Sequence, residues 1–150
     1  YLHEITESIR RYGLEDAVEF LGKKTTEELV QLYQECAIFV FPSTVETFGN
    51  PLVEAMACGT PIASSNSSVM PEILGDAAEF FEPLDPQDIA SAVGNLLRDQ
   101  EQQEVLVSNA LQRAKHFSWE DTAQKTVEII LGVSPKRSET SQKNAIKKFP

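Results

Sequence analysis

Short apolar runs alternate along the chain with segments of helical periodicity. The runs at 18–21, 38–41, 62–64 and 78–81 are rich in β-branched, aromatic or small residues and are closed by turn residues, so they predict four strands. Four consecutive apolar residues at 38–41 are typical of a strand that is buried on both faces. Strands that alternate with helices predict an α/β fold, in which a parallel sheet carries helices on both faces.

Seven segments show helical periodicity between and after the predicted strands. Their predicted ranges are 1–12, 25–33, 51–58, 70–74, 86–97, 102–115 and 119–131. Thr25 begins a capping-box pattern and Ser118 is a favoured N-cap, which indicates where two of these helices begin. We expect the apolar face of the fifth helix to include Leu97, and the core to include Trp119. Because no strand precedes the first helix, we expect the sequence to begin inside a larger protein.

The stretch 38–61 combines a strand, a loop and a helix. Asn50 is a favoured N-cap and Pro51 suits the first helical position, while Gly59 is typical of the residue just past a helix. In open α/β sheets, ligands bind at the carboxyl ends of the strands. The N–H groups of a helix N-terminus suit a phosphate, and Gly49 lets a ligand approach the backbone closely.

Two carboxylates flank this predicted phosphate site. Glu46 lies in the loop, and Glu54 is expected in the first turn of the helix. An ionised carboxylate only accepts hydrogen bonds, so both suit hydroxyl groups better than phosphate. A nucleotide sugar, with its diphosphate between two hydroxyl-bearing rings, matches this pattern. Each residue also has a simpler interpretation: Glu54 as a surface charge favoured by the helix dipole, Glu46 as an ordinary loop acid, and Phe48 as a packing residue under the loop.

The charge distribution argues against a nucleic-acid partner. The chain has 150 residues and a net charge of −10. Residues 136–150 contain five Lys or Arg and one Glu, a net +4, so residues 1–135 carry −14. Nucleic-acid binding needs a basic face, which such an acidic body does not favour. We expect one domain over 1–131 and a flexible basic tail over 132–150.

Metal, cofactor and membrane motifs are not recognisable in the sequence. It has no Asp-x-Asp pair and no Cys/His cluster with zinc spacing, so no metal and no other cofactor is expected. Cys36 and Cys58 are expected to be small buried hydrophobic residues in a reducing compartment, which favours the cytoplasm. The apolar runs are all much shorter than a membrane span.

The sequence ETFGNPLVE from Glu46 to Glu54, followed by AMACGTP, resembles the E-x7-E signature of the retaining glycosyltransferases of family four, which have the GT-B fold. Other segments have counterparts there in the same order: VEFLG (18–22), LY (32–33), AIFVFPS (37–43), PEI (71–73), GDAA (75–78) and FSW (117–119). The resemblance covers residues 1–131. Two glutamates at this spacing alone would be weak evidence, but the surrounding E-x-F-G and EAMA-x-G-x-P frame is specific.

The resemblance implies the C-terminal, donor-binding, Rossmann-like half of a GT-B glycosyltransferase, truncated at its N-terminus. Such an enzyme moves a hexose from a nucleoside diphosphate sugar to an acceptor hydroxyl with retention. By motif position, Glu46 is the catalytic residue and binds hydroxyls of the donor hexose, while Glu54 binds the ribose hydroxyls. Gly22 and Lys23 would lie near the base. The other donor-binding residues, which would hold the sugar and diphosphate chiefly through backbone N–H groups, are Phe48, Gly49, Asn50, Pro51, Leu52 and Val53.

In that family, the diphosphate-binding cations and the acceptor-binding domain precede the part that this chain resembles. The resemblance therefore implies that this chain alone is inactive. The acceptor would be a sugar, lipid or small molecule, and peripheral membrane association of the whole protein stays open. Two rival classes remain. One is another enzyme of similar fold: a nucleotide-sugar epimerase, a phosphorylase, or a hydrolase that uses the glutamate pair as acid and base. The other is a non-catalytic Rossmann-like binding domain.

Overall fold

The computed structural model describes residues 2–132, which form a three-stranded parallel sheet and seven helices. The strands are β1 (Phe39–Phe41), β2 (Ile62–Ser65) and β3 (Glu79–Phe81), in the spatial order β1-β2-β3 with both neighbouring pairs parallel. The helices are α1 (Leu2–Arg11), α2 (Thr26–Glu35), α3 (Asn50–Cys58), α4 (Met70–Leu74), α5 (Pro86–Arg98), α6 (Gln100–Ala114) and α7 (Trp119–Ile130).

Successive residues of the central strand β2 face two separate apolar clusters. Ile62 packs in one cluster with Leu52 of α3 and Leu74 of α4. Ala63 packs in the other with Leu96 of α5. Because neighbouring side chains of a strand point to opposite faces of a sheet, helices cover both faces. The predicted α/β fold with a parallel sheet is confirmed.

The strand predicted at 18–21 is wrong. Within residues 2–132 this segment pairs with no strand, and β1 pairs with β2 alone. All four of its residues are exposed, including Phe20 at 57%. A strand needs a neighbouring backbone to satisfy its N–H and C=O groups, and an apolar run without such a neighbour remains irregular.

Three predictions of burial are also corrected. β1 is an edge strand in the described sheet, and Val40 on it is 37% exposed, because α5 packs mainly on β2 and β3. On α5, Leu97 is exposed and Ala92 takes the buried position, because the helix rotates by about 100° per residue and Leu96 already faces the sheet. Trp119 is 81% exposed, since it stands at the first turn of α7, none of whose residues is buried.

Local capping signals are reproduced by the structure. Thr25 caps α2 through a reciprocal capping box with Glu28, and the hydrogen bond that the Thr25 backbone N–H donates to the Glu28 carboxylate lowers the pKa of that carboxyl. Ser118 caps α7, and Gly59 ends α3 with a φ of +72°. The tail predicted from 132 onward falls, apart from its first residue, outside the described part of the chain.

Candidate functional site

Helix α3 begins at the carboxyl end of β1, one residue earlier than predicted. Asn50 is its first residue and not its N-cap, because the left-handed Gly49, with a φ of +81°, already turns the chain into the helix. Gly49 is buried, and a Cβ there would lie 3.1 Å from Leu52 Cδ1. Within residues 2–132 no side chain caps this N-terminus. Pro51 has no N–H and the Leu52 N–H donates to the Gly49 carbonyl oxygen at 2.9 Å, so the N–H groups that remain for an anion precede Leu52.

Glu46 lies in the loop between β1 and α3 and is half-buried. The Ser43 hydroxyl lies 3.0 Å from Glu46 Oε1 and 3.2 Å from the Val45 carbonyl oxygen, to either of which it can donate. Ser68, from the loop between β2 and α4, contacts the Glu46 backbone. The carboxylate therefore stands in a loop that side-chain hydrogen bonds hold in place.

Glu54 lies in the second turn of α3 and not in the first as predicted, because the helix starts at Asn50 and a turn takes 3.6 residues. Its Oε2 accepts a hydrogen bond from the Tyr33 hydroxyl at 3.2 Å. Burial, followed by the nearby Glu54 charge, raises the pKa of Tyr33 to about 12. Tyr33 thus stays a neutral donor to Glu54 well above physiological pH.

A cavity of about 520 Å³ opens beside Asn50 and Glu54. Phe48, Val53 and Phe117 contribute apolar surface to it, and the rings of Phe48 and Phe117 meet edge to face with centroids 5.7 Å apart. The interpretation of Phe48 as a residue packed under the loop is corrected, because its side chain is 39% exposed and lines the cavity. The cavity has the volume of an ordinary small-molecule site, and its polar lining comes from Asn50 and Glu54 of α3 and from Ser118 and Thr122 at the start of α7.

The structure does not join Gly22 and Lys23 to this site. Both are exposed and precede α2, and within residues 2–132 no hydrogen bond or ion pair connects them to α3 or to the loop before it. The neighbouring Lys24 instead pairs with Glu28 at 3.7 Å. Their predicted contact with a nucleotide base stays a prediction.

Among residues 2–132, no group of three or more His, Cys, Asp and Glu side chains is placed to hold a metal ion. No helix in that range has the length and apolar character needed to cross a membrane. Cys36 and Cys58 are half-buried free thiols, and burial raises the pKa of both.

The fold thus gathers most of the predicted site residues around one helix N-terminus. Residues 50–53 and Glu54 lie in the first two turns of α3, and Phe48, Asn50, Val53 and Glu54 line the cavity, whereas Glu46 lies in the preceding loop and is not among the residues that line it. The sequence analysis did not single out the residues that support the two glutamates, among them Tyr33 and Ser68. Tyr33 carried a signal, because it belongs to the LY segment, but nothing in the pattern linked it to Glu54. Ser68 stands in a run of small polar residues and carried no signal.

Comparison with known proteins places the chain in a family. Residues 1–113 match the family described as Glycosyl transferases group 1. The O-antigen chain mannosyltransferase B of Escherichia coli is 36% identical over 119 residues, which are 79% of this chain and 31% of that protein. The D-inositol 3-phosphate glycosyltransferase of Corynebacterium urealyticum is 35% identical over 130 residues, which are 85% and 30% respectively. The chain therefore spans about a third of the length of these relatives.

Solved structures agree with this placement. HepE of Anabaena in complex with UDP and glucose superposes with a TM-score of 0.81 at 29% identity, covering 88% of this chain and 36% of that one. Sucrose-phosphate synthase of Thermosynechococcus elongatus gives 0.80 at 28% identity, covering 87% and 34%. These neighbours are GT-B glycosyltransferases, so the resemblance found in the sequence is confirmed at the level of fold and family.

Proposed function

The chain belongs to the family Glycosyl transferases group 1, and we propose that it is the donor-binding, C-terminal part of a hexosyltransferase. The enzyme would transfer a hexose from a nucleoside diphosphate sugar to an acceptor hydroxyl with retention of configuration. Support for a nucleotide sugar comes from the neighbouring HepE structures, which were solved in complex with UDP and glucose and with UDP-glucose. Support for a hexose comes from the mannosyltransferases among the relatives.

The observation that carries this proposal is the placement of two carboxylates around an uncapped helix N-terminus. The N–H groups at the start of α3 and the positive end of its dipole would hold the diphosphate. Glu46, on the loop side, would accept hydrogen bonds from the hexose hydroxyls, and Glu54, on the helix side, from the ribose hydroxyls.

The same arrangement accounts for catalysis. As the glycosidic bond breaks, negative charge develops on the departing diphosphate. Oriented N–H groups stabilise that charge without rearranging, which lowers the barrier. Glu46, held by Ser43, would keep the hexose in the geometry from which the bond breaks.

This assignment also implies where the base and the acceptor would bind. Gly22 and Lys23 would approach the base, and further parts of a longer protein would bind the acceptor. Since residues 1–135 carry −14, a diphosphate approaches this chain against an unfavourable field. We therefore expect the chain alone to bind nucleotides weakly and to transfer nothing. The two half-buried free thiols support a cytoplasmic location.

Calorimetry with UDP-, GDP- and ADP-sugars tests the proposal. We expect a preference for one nucleotide, and Glu54→Ala should weaken its binding by roughly 10- to 150-fold, since a charge-assisted hydrogen bond contributes about 1.5–3 kcal/mol. Glu101→Ala is the matched control, because Glu101 lies in the first turn of α6, on another helix. Its affinity should equal that of the wild type.

Different outcomes identify the rival functions. Equal and negligible affinity for all nucleotides would favour a non-catalytic binding domain. In the enzyme that contains this chain, free sugar formed at full rate without an acceptor would indicate a hydrolase. A product altered at C2 without an acceptor would indicate an epimerase.

A further inference from the structure

The side chain of Ser68, which lies outside the predicted site, forms hydrogen bonds with both the N–H and the C=O of the Glu46 backbone. The Ser68 hydroxyl donates a hydrogen bond to the Glu46 carbonyl oxygen at 3.0 Å and accepts one from the Glu46 N–H at 3.4 Å. The two residues are 22 positions apart and belong to different loops, one after β1 and one after β2. The contact therefore connects two neighbouring strand ends of the sheet.

Ser68 has an unusual backbone. Its φ of +54° makes it the one non-glycine residue with positive φ among residues 2–132. Side chains with a Cβ are disfavoured there, and such a conformation persists where the surroundings enforce it. A glycine would adopt this φ without that cost. The two hydrogen bonds to Glu46 are what the serine hydroxyl adds at this position.

The loop that carries Ser68 is anchored to the sheet. The Ser67 N–H donates to Ser65 Oγ at 3.1 Å, and Ser65 is a fully buried residue of β2. The Met70 N–H, at the start of α4, donates to the Ser67 carbonyl oxygen at 3.3 Å. Hydrogen bonds to β2 and to the start of α4 therefore fix the backbone on either side of Ser68, so its side chain can hold the Glu46 loop in place.

The loop that carries Glu46 has few anchors of its own. Within the described chain, residues 42–48 make no backbone-to-backbone hydrogen bond. Ser43 orients the Glu46 carboxylate but belongs to the same loop, so it moves with it. Ser68 therefore supplies the contact that ties Glu46 to the rest of the sheet.

We propose that Ser68 is a positioning residue that sets the position of the Glu46 carboxylate relative to the donor sugar. This inference rests on the proposed function, in which Glu46 binds the hexose. Loss of the hydroxyl would free the Glu46 backbone and weaken the contact with the sugar. Binding of the nucleoside diphosphate would not change, because the α3 N-terminus and Glu54 do not depend on Ser68.

The test compares how much the sugar adds to affinity. In the 150-residue chain, dissociation constants are measured for UDP-glucose, GDP-mannose and ADP-glucose and for each parent diphosphate. The ratio of the diphosphate constant to the nucleotide-sugar constant reports the contribution of the sugar. For the pair that the wild type binds best, we expect Ser68→Ala and Ser68→Gly to lower this ratio by about fivefold, the loss of one ordinary hydrogen bond. The diphosphate constant itself should change less than about twofold.

The two variants separate positioning from stability. Ser68→Ala keeps the unfavourable φ and loses the hydroxyl, so its melting temperature should fall. Ser68→Gly relieves the φ, so its melting temperature should lie above that of Ser68→Ala. Both should lose the sugar contribution equally. Ser67→Ala is the matched control, because its hydroxyl contacts Asn66 and not Glu46; its ratio should equal that of the wild type.

Amide hydrogen exchange provides a readout without ligand. The Glu46 amide should exchange faster in both Ser68 variants, and at the wild-type rate in Ser67→Ala. Unchanged exchange and an unchanged ratio in both Ser68 variants would overturn the positioning role, as would a loss confined to the less stable variant. A wild-type chain that binds no nucleotide, or gains nothing from the sugar, would overturn the proposed function itself.

Discussion

The Tyr33 hydroxyl donates a hydrogen bond to Glu54 Oε2 across 3.2 Å and so joins α2 to α3. Tyr33 is itself held from two sides. The Thr60 hydroxyl donates to the Tyr33 carbonyl oxygen at 2.7 Å, and the Tyr33 ring packs edge-on against Phe39, with centroids 5.2 Å apart. Glu54 therefore has a fixed donor that orients one of its carboxylate oxygens and leaves the other available to a ligand.

Replacing Tyr33 by Phe should weaken nucleotide binding by roughly 2- to 10-fold, since the oriented carboxylate loses one hydrogen bond. The loss should be the same for a nucleoside diphosphate and for its sugar derivative, because both contain the ribose assigned to Glu54. Calorimetry with both ligands measures it, and Tyr12→Phe is the control, because Tyr12 is 70% exposed. Wild-type affinity in Tyr33→Phe would show that the bond does not support binding.

Stability at alkaline pH should depend on the same residue. The folded chain raises the pKa of Tyr33 from 10.0 to about 12, chiefly through burial and then through the Glu54 charge. The folded state therefore holds this proton more tightly than the unfolded state does. Its contribution to stability is fully present below about pH 10 and is lost as the pH rises towards about 12. Tyr33→Phe has no such proton.

Urea unfolding at several pH values measures this effect as the difference in free energy of unfolding between the wild type and Tyr33→Phe. We expect this difference to be constant from about pH 7 to about pH 9.5. Above about pH 10, the free energy of unfolding of the wild type should fall relative to that of Tyr33→Phe. Taking the difference removes the titration of other groups. A difference that stays constant up to about pH 12 would contradict the assigned environment of Tyr33.

Glu46→Gln, made in the enzyme that contains this chain, should reduce turnover more than nucleotide binding. Glutamine keeps the shape but loses the charge that would accept hydrogen bonds from the hexose. An interaction felt mainly in the transition state lowers kcat and kcat/KM together. Steady-state kinetics measure both, with Glu101→Gln as the control. A Glu46→Gln enzyme with wild-type kcat would remove Glu46 from the catalytic role.

Transfer activity should survive chelation by EDTA. The sequence has no Asp-x-Asp pair, and among residues 2–132 no group of three or more acidic, His or Cys side chains could hold a metal ion. Charge on the departing diphosphate would instead be stabilised by the N–H groups of α3. Initial rates before and after EDTA provide the measurement. Complete loss that Mg²⁺ or Mn²⁺ restores would contradict the expectation.

Arg113 on α6 should contribute to stability by completing the C-terminus of α4. Its guanidinium donates to the carbonyl oxygens of Glu72 and Ile73, two groups that a helix end leaves without an intrahelical partner. Arg113→Met should therefore lower the free energy of unfolding by about 1–3 kcal/mol.

Arg98→Met is the matched control for this variant. Arg98 donates to Asn95 on the exposed surface of its own helix, so its replacement should cost less than about 0.5 kcal/mol. Urea unfolding of both variants provides the comparison. Equal stability losses in the two would mean that the α4 carbonyls gain nothing from Arg113.

Much of the fold was already determined by local signals in the sequence. Thr25 and Ser118 cap helices where predicted, and Gly59 ends α3. Helix caps depend on residues within about one helical turn of each other, so the local sequence suffices to specify them. The frame that contains Glu46 and Glu54 likewise indicated the family before any contact was known, because it is a continuous segment.

Tertiary structure decided what depends on partners distant in sequence. The run at 18–21 has the composition of a strand but no neighbouring backbone to pair with, and Trp119 has the character of a core residue but stands on a helix with no buried residue. The supports of the site, Tyr33 on Glu54 and Ser68 on Glu46, span 21 and 22 positions. Hydrophobic and capping patterns describe only near neighbours along the chain, so the meeting of separate loops at one end of a sheet appears only once the chain has folded.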